Sequence, residues 1–181
     1  MADTAPEPAP YHAEATLKDG TAVEIRSIRA SDAPAVAAGF VHFGPDSRHH
    51  RFFSAKTTLT DEELERVTHP EWEHAFRLVA EVRSGASTGR LIGGASCVVN
   101  PKADPQRGEI AFSIVDEFQG KGLGALLLRH LAAEARTRGI TRFVATVLAD
   151  NKAMLAVFEH SGLPMESHQD RDAIVVVLSL Q

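Results

Sequence analysis

A few short stretches of this chain carry residue types whose spacing can do chemistry. In Gln119-Gly120-Lys121-Gly122-Leu123-Gly124, glycines at alternate positions allow sharp turning and close approach of the backbone to a ligand. A helical pattern opens at Leu123, so unpaired N–H groups and a positive dipole end collect at the same place. That combination holds a phosphate or pyrophosphate. A Walker loop requires Ser or Thr after the lysine, where this chain has Gly122. A dinucleotide loop requires G-x-G-x-x-G, whereas the glycines here run G-x-G-x-G. Glu109, at the start of a strand-like run, could accept a proton as a general base. An exposed strand-start glutamate paired with Arg107 is the competing reading. His49-His50 invites a metal reading, but adjacent histidines in an extended segment point to opposite faces and no cysteine or carboxylate cluster completes a site. No metal is therefore expected.

The elements that must position these residues follow from periodicity and caps. Thr21–Arg29 alternates Val23, Ile25 and Ile28 with polar residues and predicts a first strand. Ser31 as N-cap and Pro34 in the first turn predict a helix to about Phe43, broken by Gly44-Pro45. Thr60 and Glu63 form a capping-box pattern for a short helix to Thr68, whose acidic face, Asp61-Glu62-Glu63 with Glu65, is expected to be solvated or else to guide a basic acceptor. Strands are expected at 75–82, 91–99, 109–115, 142–148 and 173–180. Leu123, Leu127 and Leu131 define the buried stripe of a helix to Arg138, closed by Gly139. A further helix runs from Asp150-Asn151 to His160. The segments 44–58 and 100–107 read as loops that build a variable cleft, with Arg48, Arg51 and the Phe52-Phe53 pair in the first. That arginine cluster either contacts a cofactor's phosphates, shapes an acceptor cleft, or is a half-buried loop anchored by the two phenylalanines.

Bulk properties exclude several classes. A chain of 181 residues with 44% hydrophobic and 24% charged residues can bury the core of one ordinary globular domain. Residues 1–11, rich in Ala and Pro, read as a disordered tail and 12–181 as the domain. A net charge of −5 gives no general attraction to nucleic acid or an anionic membrane, so neither is an expected partner. Cys97 is the only cysteine and reads as a buried strand thiol, so no intrachain disulfide is possible. No apolar run is long enough to cross a bilayer, and the N-terminus lacks the pattern of a signal peptide. A cytoplasmic protein, monomeric or homodimeric, is expected.

The run Gly108–Gly124 resembles the strand-loop-helix core of the GNAT superfamily of N-acetyltransferases, whose coenzyme A loop has the pattern Gln/Arg-x-x-Gly-x-Gly/Ala. Val147-Leu-Ala-Asp-Asn151, then Met154, Phe158 and Gly162, resembles that superfamily's second coenzyme-contacting unit. Ser47-Arg48-His49-His50-Arg51-Phe52-Phe53 and Glu109 are similar to features of its bacterial Pat-type lysine acetyltransferase domains. The resemblance implies an α+β GNAT fold: a mixed, strongly twisted sheet of six to seven strands flanked by about four helices, with central parallel strands 109–115 and 142–148 splayed apart. It implies acetyl-CoA as co-substrate and an amine, most typically a protein lysine, as acceptor. Small amines, or a non-catalytic coenzyme A sensor, are the rival readings.

By the same resemblance, Phe112, Ser113 and Ile114 line the pantetheine arm. Gln119, Gly120, Lys121, Gly122, Leu123, Gly124 and Ala125 cradle the pyrophosphate, and Asn151 contacts the cofactor from the other strand. Glu109 is implied to be the general base. Strand alternation puts it on one face with Ala111 and Ser113, which are small and leave room for substrate. Many superfamily members carry a tyrosine acid seven residues after the asparagine, where this chain has Phe158. Its single tyrosine, Tyr11, lies by the tail.

Overall fold

The computed structural model describes residues 9–54, 56–72 and 74–181. Most of the tail expected at 1–11 lies outside these residues. The elements run β1 (His12–Thr16), β2 (Ala22–Ser27), α1 (Ala33–Phe40), α2 (Pro45–Phe52), α3 (Asp61–Thr68), β3 (Ala75–Val82), β4 (Leu91–Asn100) and β5 (Asp104–Ile114). They continue with α4 (Leu123–Thr137), β6 (Arg142–Leu148), α5 (Lys152–Glu159), β7 (Met165–Asp170) and β8 (Ala173–Ser179). The sheet has eight strands in the order β1-β2-β3-β4-β5-β6-β8-β7, antiparallel throughout except for the parallel pair β5–β6.

The eight strands slightly exceed the expected six to seven, and five helices stand where about four were expected; two strands and one helix have no counterpart among the elements read from sequence. The missed strands, β1 and β7, are the sheet's edges and carry mostly polar, exposed residues, as edges that resist further pairing do. The apolar β8 is consequently interior, between β6 and β7. Strand β5 begins at Asp104, inside a segment that reads as loop. Its early residues are polar because both their faces are wet, and the backbone pairing Asn100↔Asp104 extends the ladder without an apolar pattern. The missed helix, α2, occupies part of 44–58 and has Pro45 in its first turn. Ser31 does not cap α1. It sits in a short 3-10 turn, and Asp32 precedes the helix with its carboxylate taken by Arg26 at 2.8 Å.

One face of the sheet is sealed by α4. Leu123, Leu127 and Leu131 are completely buried, with Leu128, Ala132 and Ala135 beside them, against Ile92, Cys97, Ile110 and Phe143. Burying each such leucine stabilises the fold by about 1.5–3 kcal/mol. The other face carries Arg77, Ser96, Glu109, Ala111 and Ser113, and is covered loosely by α1, α2 and α3. The site lies on and through this second face.

Candidate active site

Pairing between β5 and β6 stops early. The register runs Arg107↔Arg142, Gly108↔Phe143 and Glu109↔Val144 and ends there, so the strands diverge from Ile110 onward. Val115 N–H donates to Ile92 of β4, while the Ile114 carbonyl faces away and accepts Gln119 Nε2 at 3.1 Å. By alternation, the N–H groups of Phe112 and Ile114 point toward β6 and, beyond the last pair, find no strand. The opening they face is a cavity of about 950 Å³.

Glu109, Phe112, Ser113, Ile114, Gln119, Gly120, Gly122, Leu123, Gly124, Ala125 and Asn151 all line this cavity. Lys121 does not. Its ammonium turns back to Asp19 at 3.0 Å and lies 4.7 Å from the centre of the Phe118 ring. Asp19 accepts hydrogen bonds from Thr21 and from Lys121, which together hold its carboxyl down at about 2.

The glycine loop works through its backbone. Among the described residues, the N–H groups from Gly120 to Ala125 have no hydrogen-bond partner, and the first helical bond is Leu126 N–H to Gly122 O at 3.1 Å. Gly120 and Gly122 sit at φ +72° and +88°, where a side chain is strained. Gly124 matters for packing instead. A Cβ there would come within 3.1 Å of Val157, so the glycine lets α4 pack closely on α5. The result is a run of donors at the positive end of a 15-residue helix.

Glu109 stands at the rim with its side chain 71% exposed and Arg107 Nη2 3.5 Å away. The alternative partner named by sequence is therefore present, at the outer limit of hydrogen-bonding distance. Asn151 caps α5, its Oδ1 accepting Met154 N–H at 3.1 Å. Phe158 is buried and meets Phe112 edge-on, ring centres 6.0 Å apart. Tyr11 is held elsewhere, its hydroxyl 2.5 Å from His130 Nδ1 on α4. Cys97 is buried on the α4 face, where desolvation pushes its thiol up to about 12. No group of three His, Cys, Asp or Glu able to hold a metal occurs among the described residues.

A family model described as "Acetyltransferase (GNAT) family" matches residues 45–163, which contain both sides of the splay and the glycine loop. The chain belongs to the GNAT acetyltransferase family. It is 30% identical over 146 residues to Acetyltransferase Pat of Mycolicibacterium smegmatis, covering 81% of this chain and 42% of that protein. It is 29% identical over 142 residues to Acetyltransferase PA5475 of Pseudomonas aeruginosa, covering 77% and 73%. Among solved structures, the GNAT domain of S. lividans PAT superposes with a TM-score of 0.83 at 28% identity, covering 93% of this chain and 96% of that one. The chain thus spans less than half of the mycobacterial Pat, and nearly all of an isolated GNAT domain. The GNAT fold and the Pat-like resemblance read from sequence both hold.

Sequence reasoning missed how the GNAT cleft is spanned. Helix α2 bridges the ends of the splayed strands. On the β5 side, Asp116 accepts Gly44 N–H at 3.0 Å and the Ser47 hydroxyl at 2.6 Å. On the β6 side, His50 Nε2 meets Asp150 at 3.1 Å. His49 and His50 are therefore helical, not extended, and His50 serves the bridge. Lys18 was also missed. It comes from the β1–β2 turn, donates its N–H to Lys121 O, and lays its stem on Gly122. No pattern links a turn residue to a loop a hundred positions away; only the fold does. No described helix is long and apolar enough to cross a membrane.

Proposed function

We propose that the chain is an acetyl-CoA-dependent N-acetyltransferase that acetylates an amine, first of all a protein lysine side chain, by direct attack in a ternary complex. One observation supports this most strongly. The backbone N–H groups from Gly120 to Ala125 have no partner among the described residues, and all of these residues except Lys121 line the same cavity that the N–H groups of the splayed β5 face. These donors suit the two ends of an acyl-coenzyme A: the pyrophosphate at the helix terminus and the thioester carbonyl at the splay.

In this reading Gly120 to Ala125 hold the pyrophosphate through main-chain atoms with Gln119 leading into the loop, Lys18 adds positive charge nearby, and Phe112 to Ile114 with Asn151 line the pantetheine path. Lys121 contributes its backbone, since its ammonium is engaged by Asp19. The acceptor amine approaches from the face of Glu109, Ala111 and Ser113. A lysine of pKa about 10.4 must lose a proton to attack at pH 7, at a cost of about 4.6 kcal/mol. Glu109 takes that proton, directly or through water. The nitrogen–carbon bond forms, the carbon–sulfur bond breaks, and the Ile114 N–H steadies the oxyanion between the two events. With phenylalanine at position 158, the thiolate leaves without a tyrosine acid; the nitrogen sheds its second proton to solvent as the amide forms, and solvent protonates the thiolate, as a thiol of pKa about 8.5 permits.

Incubation with radiolabelled acetyl-CoA, a bacterial lysate and a panel of small amines tests this reading. Label in protein lysines is expected. Label confined to small molecules removes the protein-lysine reading. Binding of acetyl-CoA with no transfer to any acceptor removes catalysis altogether and leaves a sensor domain.

A further inference from the structure

The acceptor side of the cleft ends in partly buried positive charge that has no counter-ion among the described residues. Arg77 on β3 lies in register with Ser96 on β4, which lies in register with Ala111 on β5; in the next row Gly94 faces Ser113. All these positions share the face of Glu109. Arg51 reaches down onto the same face from α2, donating Nε–H to the Ser113 hydroxyl at 3.1 Å and lying over the Phe52 ring. Arg77 makes no side-chain hydrogen bond to a described residue, and its Nη1 is buried without a partner. The two arginines line both the main cleft and an adjoining cavity of about 370 Å³ beneath α1–α3.

Nothing described nearby neutralises them. Glu109 is the one carboxylate lining the main cleft, which Arg51, Arg77, Arg107 and Lys18 also line. Glu63 is the one carboxylate lining the adjoining cavity. Its oxygens are taken by Lys56 Nζ at 2.7 Å and Thr60 N–H at 2.9 Å. Desolvation holds the guanidinium pKa of both arginines below its usual value, and for Arg77 the charges of Arg51 and Arg66 add to it. The same chain shows what a satisfied buried arginine looks like: Arg26 binds Asp32 with both terminal nitrogens at 2.8 Å and Glu81 at 2.9 Å. A guanidinium cannot shed its proton and is costly to bury alone, and its planar fork fits a carboxylate. These arginines also lie on the sheet face opposite α4, away from the glycine loop that serves the pyrophosphate.

We propose that Arg51 and Arg77 form a carboxylate-recognition subsite at the inner end of the acceptor cleft, so that the preferred amine substrate carries a carboxylate close to the reacting nitrogen. This rests on the acetyl-transfer reading above. The carboxylate has two sources of the same chemistry: the α- or ω-carboxylate of a free amino acid, or an Asp or Glu side chain beside a target lysine. Arg51 and Arg77 set specificity here; neither touches the reacting atoms.

The test pairs each carboxylate with its neutral counterpart. One arm uses ω-amino acids from glycine to 6-aminohexanoate against their carboxamides; the other uses lysine peptides flanked by Asp or Glu against the same peptides with Asn or Gln. Binding is measured by calorimetry in the presence of coenzyme A, and turnover as kcat/KM with acetyl-CoA. At least one arm is expected to favour the carboxylate by about 10- to 100-fold, as for a charge-assisted hydrogen-bonded pair. The arm that discriminates names the source. Arg77→Met, which keeps the stem's bulk, and Arg51→Met should each erase most of that preference, read as the ratio of carboxylate to neutral counterpart within the same variant. Equal binding and equal turnover of carboxylates and neutral counterparts by the unmodified protein, in both arms, overturns the subsite even if neither variant folds. A carboxylate preference in binding with no acetyl transfer keeps the subsite and removes the acetyltransferase reading instead.

Discussion

Glu109→Gln is the substitution that bears most directly on the chemistry. Glutamine keeps the shape and one acceptor oxygen but cannot take a proton, so the variant must wait for an amine that is already neutral. For a lysine of pKa about 10.4, that fraction is about 1 in 2500 at pH 7. The loss in kcat/KM is therefore expected between about 100-fold, a common worth for a general base, and about 2500-fold, or about 2.7 to 4.6 kcal/mol in the barrier. The Glu109 side chain is 71% exposed, with Arg107 its only ion-pair partner among the described residues, at 3.5 Å. Its replacement should change stability by no more than about 0.5 kcal/mol. An unchanged melting temperature would thus separate lost chemistry from lost fold. The assay is kcat/KM against pH, with a lysine peptide and saturating acetyl-CoA. The variant should climb about tenfold per pH unit toward the acceptor's own pKa, so its deficit shrinks steadily in alkali. A variant that keeps half of the parent activity at pH 7, or whose pH profile parallels the parent's, would refute Glu109 as the base.

Other expectations concern the loop, the buried ion network and the thiol. Gly122→Ala forces a side chain to φ +88° and sets its Cβ 3.3 Å from the Lys18 stem. It should cost about 1–2 kcal/mol of stability and weaken coenzyme A binding by calorimetry, whereas Gly139→Ala, at φ +75° on the far end of α4, should cost stability alone. Equal coenzyme A affinity in both variants would mean that the loop backbone does not hold the ligand. Asp32→Asn removes one carboxylate from Arg26, which is only 5% exposed, and should destabilise by about 3 kcal/mol in a denaturant melt. Burial raises the Asp32 carboxyl's pKa, but the Arg26 hydrogen bonds and charge, with the Arg29 N–H, outweigh it and leave it lowered. A lowered carboxyl contributes stability that is complete above its unfolded pKa of about 3.9 and is lost as pH falls through the lower folded value. The parent should therefore lose more stability in acid than Asp32→Asn does, and matching acid profiles would count against the pairing. Cys97, with its thiol near 12, should resist iodoacetamide at pH 8 until the chain is unfolded; stoichiometric labelling of the native protein would contradict its burial.

The parts of the molecule that announced themselves in the sequence are those whose physics is local. The Leu123-Leu127-Leu131 stripe, the Thr60/Glu63 capping box and the Gln119–Gly124 spacing each act over a few residues, so their patterns survive in one dimension. The strands β1 and β7 did not announce themselves, because edge strands with polar faces have no apolar alternation; only pairing with β2 and β8 defines them. Helix α2 was hidden for a related reason. Pro-Asp-Ser-Arg-His-His-Arg-Phe contains one large apolar residue in eight, and its start is anchored by a carboxylate about 70 residues away rather than by its own cap.

That difference separates the two halves of the cleft. The proposed coenzyme half lies on the backbone of one contiguous loop and strand, where glycine spacing must be explicit, so its order alone is legible. The proposed acceptor half is assembled by register. Arg77 reaches Ser96 through strand pairing, and Arg51 reaches Ser113 because Asp116 and His50 hold α2 across the splay. Taken alone in sequence, Arg77, Ser96 and Asp116 carry no pattern, and Arg51 shows only as part of a cluster with several readings. Their meaning lies in a charge imbalance that exists only after folding, with two guanidiniums turned into one cleft and the nearby carboxylates committed elsewhere or at its rim.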